Sequence, residues 1–194
     1  MLQPVATRSE SAAATRQSLL EAASALLDAG GPEAVTLREV GARTGVSRSA
    51  PYRHFADKGT LLSVLATNAV AELGDTLEVL ANSDDPPERA LRAALLSLIS
   101  ISRTRPHLYR LMFTTPTGNP TAAVQAADRT WDLFIDIVAR VVGPERARRY
   151  GPLLLTNAHG IASFESSGHL VEDKWQLTAD ELIDMAVSLL PTAP

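Results

Sequence analysis

Apolar residues recur at helical spacing almost from one end of the chain to the other, and the alternation that marks β-strands is nearly absent. The pattern predicts nine helices. The first covers roughly 13–29, with Leu19, Ala22, Ala23, Leu26 and Leu27 on one face. Gly30-Gly31-Pro32 stops it, since glycine accepts a left-handed cap and proline cannot continue the helix. The second opens at Thr36, which fits a capping box with Glu39, and ends before Gly45. The third opens at Ser47 and ends near His54, with Pro51 in the first turn, where a missing N–H costs least. Asp57 caps a fourth, running to about residue 81 with Leu61, Leu62, Leu65, Ala69 and Leu73 at helical spacing. After the break at Asn82–Pro87, helices are expected at roughly 87–103, 106–114, 121–142, 145–168 and 179–190, with a second loop at 115–120. Val124, Ala127, Trp131, Phe134, Ile135, Val138 and Val142 share a face of the seventh. The fold class is therefore all-α.

Composition narrows the chemistry. Among 194 residues, 45% are hydrophobic and 21% charged, a balance that builds a packed core rather than a disordered chain. There is no cysteine, which removes disulfides, thiolate nucleophiles, zinc–cysteine sites and iron–sulfur clusters. His159 and His169 lie ten residues apart on different faces of one predicted helix, so no metal site is expected. The chain carries no glycine-rich phosphate loop, no G-x-S-x-G and no H-E-x-x-H. Asp128, Asp132 and Asp136, with Arg129 and Arg140 nearby, form a solvated helix flank rather than a carboxylate pair. An enzyme is the least favoured class, and no cofactor is expected. No window approaches the ~18 apolar residues of a membrane helix. The opening MLQPVATRSESAAAT has no apolar core of signal-peptide length, so the expected location is the cytoplasm.

The net charge of −4 argues against nonspecific coating of nucleic acid, but it is unevenly spread. Residues 37–58 carry Arg38, Arg43, Arg48, Arg53 and Lys58 against only Glu39 and Asp57. Two short helices joined by a glycine turn form a helix-turn-helix. Gly41 lies on the inner face, where a small residue lets the helices cross; Gly45 supplies the turn backbone, Val46 plugs the corner and Ser47 can cap the second helix. Leu37, Val40, Val46 and Phe55 would form a small core with the first helix, leaving Arg48, Ser49, Tyr52, Arg53 and His54 as polar positions on a helix able to enter a major groove.

The wider segment TLREVGARTGVSRSAPYRHFADKGTLL (Thr36 to Leu62) closely resembles the DNA-binding domain of the TetR-type transcriptional regulators, through Gly45-Val46-Ser47, Tyr52-Arg53-His54-Phe55 and Lys58. Pro51 stands where that family often has a bulky aliphatic. RPHLYRLMF (Arg105 to Phe113) and NAHGIASFE (Asn157 to Glu165) resemble the branch whose C-terminal domain carries a W-H-G signature, with Ala158 in place of the tryptophan. The resemblance implies that Thr36, Ser47, Tyr52, His54 and Lys58 hold phosphates, which orients the protein without reading sequence. Arg48, Ser49 and Arg53 are the candidates for base edges, arginine being able to bond guanine O6 and N7 together. The competing structural readings are a core role for Tyr52 and a plain surface role for Lys58.

The domains expected are a flexible arm at 1–11, a three-helix DNA-binding domain at 12–62 and a helical bundle for effector binding and dimerisation at 63–194. Thr156, Gly160, Ser163 and Ser167 fall within about 60° on the eighth helix, a small-residue stripe suited to a symmetry-related helix. Leu182, Ile183, Ala186, Leu189 and Leu190 approximate a heptad seam on the ninth; ordinary intrachain packing is the alternative for both. Met112, Phe113, Trp131 and Phe134, with Tyr109 and Phe164, are candidates to line an effector pocket, and Arg103, His107, Arg110 and His159 to orient a polar or anionic group. The expected partners are double-stranded operator DNA, a second copy of the chain and a small-molecule effector, with no membrane. Together these describe a ligand-released repressor on a palindromic operator. The rival is a helical ligand-binding or interaction protein that kept the motif without DNA affinity.

Overall fold

The computed structural model describes residues 8–115 and 120–191. Residues 1–7 of the expected arm and most of the expected loop at 115–120 lie outside them. Ten helices are found among the described residues: α1 (Arg8–Ala34), α2 (Leu37–Thr44), α3 (Ala50–His54), α4 (Lys58–Ala81), α5 (Pro87–Thr104), α6 (Pro106–Met112), α7 (Pro120–Val142), α8 (Pro144–Ser166), α9 (Glu172–Trp175) and α10 (Ala179–Ser188). The expected order holds, with α9 added as one short turn.

Local chemistry sets most boundaries. α1 starts at Arg8, so residues 8–11 are its first turn rather than part of an arm. Its regular stretch breaks at Gly30 and Gly31, and a short turn closed by Val35 N–H on the Pro32 carbonyl follows. Thr36 caps α2 by accepting from Glu39 N–H at 3.1 Å. Only that half of the box is used, because the Glu39 carboxylate turns to Arg43 at 3.5 Å. Asp57 caps α4 by accepting from Thr60 N–H at 2.7 Å, and that donated bond holds its carboxyl below the ordinary range. At the other end of α4 the orphan carbonyls meet a cation from elsewhere. Arg140 of α7 donates to the carbonyls of Leu80 at 2.9 Å and Ala81 at 3.2 Å, and to those of Ser83 and Asp85 beyond. α10 opens with a complete capping box between Thr178 and Glu181.

Two cores result. One joins α1, α2 and α3 through Leu19, Leu27, Val35, Val40 and Phe55, and it also takes Leu61, Leu65 and Ala69 of α4 and Leu108 of α6. The other fills the space between α4, α5, α7, α8 and α10, with Leu91, Ile99, Ile137, Val138 and Ile183 fully enclosed. The N-terminal core thus runs past residue 62, and α4 and α6 belong to both units. Arg103 ties the second unit together by bonding Glu165 at the end of α8 and Asp180 at the start of α10, each at 2.7 Å.

Candidate functional site

α2 and α3 cross closely because residue 41 has no side chain. A Cβ there would meet Cγ of Pro51 at 2.8 Å, which explains both the glycine on α2 and the buried proline at the start of α3. Gly45 ends α2 at φ +68°, a left-handed conformation that favours glycine. Val46 packs against the N-terminal core, and Phe55 is enclosed in it. α3 is shorter than expected. Its cap position is Ser49, whose side chain makes no cap bond, and Ser47 closes the turn into the helix with its carbonyl, which accepts from Ala50 N–H at 2.9 Å. The expected hydroxyl cap at Ser47 is therefore not formed, since that residue lies a turn ahead of the helix.

Most of the candidate DNA contacts are open to solvent. Ser47, Arg48, Ser49, Tyr52 and Arg53 are exposed and His54 is half-buried. Tyr52, at 58% exposure, is not a core side chain. Thr36, also exposed, sits at the α2 N-terminus. Lys58 lies in the first turn of α4, 3.6 Å from Glu33. Arg16 places its guanidinium 5.2 Å from the Phe55 ring, buttressing α3 from behind.

The second candidate site is a cavity of about 260 Å³ between α4, α5, α6 and α7. Met112, Phe113, Trp131 and Phe134 all line it, as expected. His159 lies just behind, its ring 4.2 Å from that of Phe113 and its Nδ1 2.7 Å from the Tyr109 hydroxyl. Burial pushes the Tyr109 phenol up to about 12, so it stays protonated and can donate this bond. The other candidates are elsewhere. Arg103 is committed to Glu165 and Asp180, and His107 rests against Gly31 of α1 and bonds Arg110 at 2.9 Å. Phe164 packs on His169 and Trp175. The cationic end of the expected pocket is thus absent from this cavity's walls, because helical spacing turned Arg103 toward α8 and α10, His107 toward α1 and Arg110 to the surface.

Residues 19–65 match the family described as bacterial regulatory proteins, tetR family, and residues 91–190 match the tetracyclin repressor-like C-terminal domain. The chain belongs to the TetR family. It is a DNA-binding transcriptional regulator and not an enzyme. No curated protein matches the sequence. Among solved structures, a protein of unknown function from Rhodococcus sp. RHA1 is 27% identical with a TM-score of 0.75, over 90% of this chain and 92% of the other. A TetR transcriptional regulator from the same organism is 22% identical with a TM-score of 0.64, over 91% and 96%. The TetR family regulator PfmR from Thermus thermophilus is 20% identical with a TM-score of 0.61, over 88% and 95%. The last two share the fold.

Within this TetR-family chain, the expected dimer residues divide. Thr156, Gly160, Ser163 and Ser167 are exposed on one side of α8 and just past its end, and a Cβ at Gly160 would meet nothing within 4 Å. Leu189 is 81% exposed, while Leu182 and Ala186 are half-buried. Ile183 is a correction: it is fully enclosed in the C-terminal core and cannot touch a second copy. The outward apolar side chain of that turn is Met185. Sequence reasoning also missed a clamp between the two units. Arg105, just before α6, donates to Asp28 at 2.9 Å and to the Ser24 hydroxyl, both on α1. A lone arginine before a proline carries no signal of that role.

Proposed function

We propose that two copies of this regulator grip a near-palindromic operator through α3 and repress transcription, and that a small molecule in the α4–α6–α7 cavity releases them. In this reading Arg48, Ser49 and Arg53 read base edges, while Thr36, Ser47, Tyr52, His54 and Lys58 hold phosphates. The observation that carries the reading is the sharing of α4 and α6. Leu65 and Leu108 pack in the reading head's core, while Val70, Leu73 and Met112, on the same two helices, line the cavity. A ligand that prefers a displaced α4 or α6 disfavours the arrangement that fits DNA, and operator must weaken ligand by the same factor. About 3 kcal/mol of coupling changes operator affinity ~150-fold.

The exposed stripe of α8, flanked by Leu153 at 59% exposure, with the exposed Met185 of α10 and Leu189 just past its end, supplies an apolar face for a second copy. Such a regulator works where bacterial DNA is, in the cytoplasm. Selection from random duplexes tests the proposal. It should return an inverted repeat whose half-sites lie about 34–36 Å apart or slightly more, with affinity falling steeply as salt rises. Recovery of only asymmetric sites refutes the two-fold reading.

A further inference from the structure

The cavity described above has a neighbour. A second space of about 450 Å³ opens between the first turns of α4 and the start of α7, with Gly59, Leu62, Ala66 and Val124 on its walls. Val70, Met112 and Ala127 line both spaces. The space nearer the C-terminal core, the inner chamber, measures about 260 Å³, below the ~300–1,000 Å³ typical of small-molecule sites, and the space nearer the reading head, the outer chamber, brings the pair into that range.

The walls also state a polarity. Among the described residues, no side chain lining either space is ionisable. The hydroxyls present have largely spent their protons. Thr67 donates to the Ser63 carbonyl at 2.8 Å, Thr114 to that of Leu111 at 2.8 Å, and Thr130 to those of Ala126 at 2.8 Å and Val70 at 3.0 Å. Their oxygens can still accept. A carboxylate or phosphate offers only acceptors, so it would enter without a counter-charge and keep its desolvation cost. An uncharged donor, such as an alcohol hydroxyl, finds acceptors ready.

We propose that the effector is an elongated, uncharged molecule that spans both chambers past Met112, its apolar body inside and a hydrogen-bond donor among the outer threonines. This rests on the effector reading above and, of the polar or anionic group expected from the sequence, keeps only an uncharged polar one. It also names the lever. Leu62, on the outer wall, packs against the reading head's core as well, so the outer half of the ligand presses on the part of α4 that carries the reader.

Straight-chain 1-alkanols from butanol to decanol test it on the full chain. Trp131 fluorescence is followed in a Trp175→Phe background, Trp175 being half exposed. Affinity should rise about fourfold per added methylene through decanol, and decanoate should bind at least tenfold more weakly than decanol. Ala66→Phe on the outer wall should flatten the series for long alkanols; the wild-type series decides the matter if that variant fails to fold. A wild-type series that stops rising at hexanol means one chamber only, which overturns this inference while the effector reading stands. Decanoate binding as tightly as decanol overturns the uncharged occupant. No response to any alkanol overturns both the inference and the cavity's role as the effector site.

Discussion

The crossing of α2 and α3 is the feature most open to a quantitative test, because one glycine and one proline make it. Gly41→Ala adds a Cβ that would lie 2.8 Å from Pro51 Cγ, where ordinary contact begins at 3.4 Å. The helices must part by about 0.6 Å at that point. A flexible side chain would swing aside, but the proline ring is closed on the backbone and carries α3 with it. Against the strain, alanine is favoured over glycine inside a helix by about 1 kcal/mol, while overpacking a tight contact costs about 1–3 kcal/mol. The net expectation is a loss of roughly 0–2 kcal/mol of stability. Operator affinity should fall further, since a displaced α3 misplaces its arginines and each good base contact is worth about 1–3 kcal/mol. Chemical denaturation and DNA-binding anisotropy on Gly41→Ala, Pro51→Ala and the double variant provide the assay. Removing the proline ring should relieve the added methyl, giving a favourable coupling of about 0.5–3 kcal/mol in the cycle. If Gly41→Ala gains the full helix-propensity benefit, binds DNA as before and shows no coupling to residue 51, the close crossing is not what places α3.

Four further outcomes are expected. Arg48→Ala should relax preference at one base position at a cost of about 1–3 kcal/mol, whereas Lys58→Ala should weaken all sequences alike and lower the salt slope by about one; a panel of operator variants distinguishes the two profiles. Gly160→Leu should leave the subunit folded, since that position has open space within its own chain, and yield monomers by sedimentation; an unchanged dimer places the interface elsewhere. Arg105→Ala should change stability by under ~1 kcal/mol, as half-exposed ion pairs do, while reducing the fold-change that ligand produces in operator affinity, because it frees α6 from α1. The Asp57 carboxyl is held below its ordinary range by the Thr60 N–H. Its contribution is therefore present above the unfolded value of about 3.9 and lost as pH falls through the lower folded value. Asp57→Asn should be less stable at pH 7 and decline less steeply on acidification; parallel pH curves for both proteins would refute the cap's charge dependence.

Legibility in the sequence followed the range of each interaction. The apolar period, Thr36, Asp57, Gly45 and Pro51 act within a turn or two of themselves, so helix order, most caps and the helix-turn-helix are written in the local sequence. Ser47 resembles a cap but is not one, because choosing between nearby serines depends on where the helix begins, a matter of one or two residues. Met112 and Phe113 at the end of α6 and Trp131 and Phe134 of α7 converge on the cavity because both helices present one wide apolar face inward. The charged residues were another matter. Arg103, Arg105, His107 and Arg140 have long or pivoting side chains whose partners, Glu165, Asp28, Gly31 and the α4 carbonyls, lie far away in sequence. Ile183 and Met185 sit on the same helix, yet one is enclosed and the other half exposed. Periodicity marks a hydrophobic face but does not say whether α5 and α8 of the same subunit cover it or a second copy must. For Ile183 that choice, and with it the uncharged lining of the cavity among the described residues, was settled only when the helices packed.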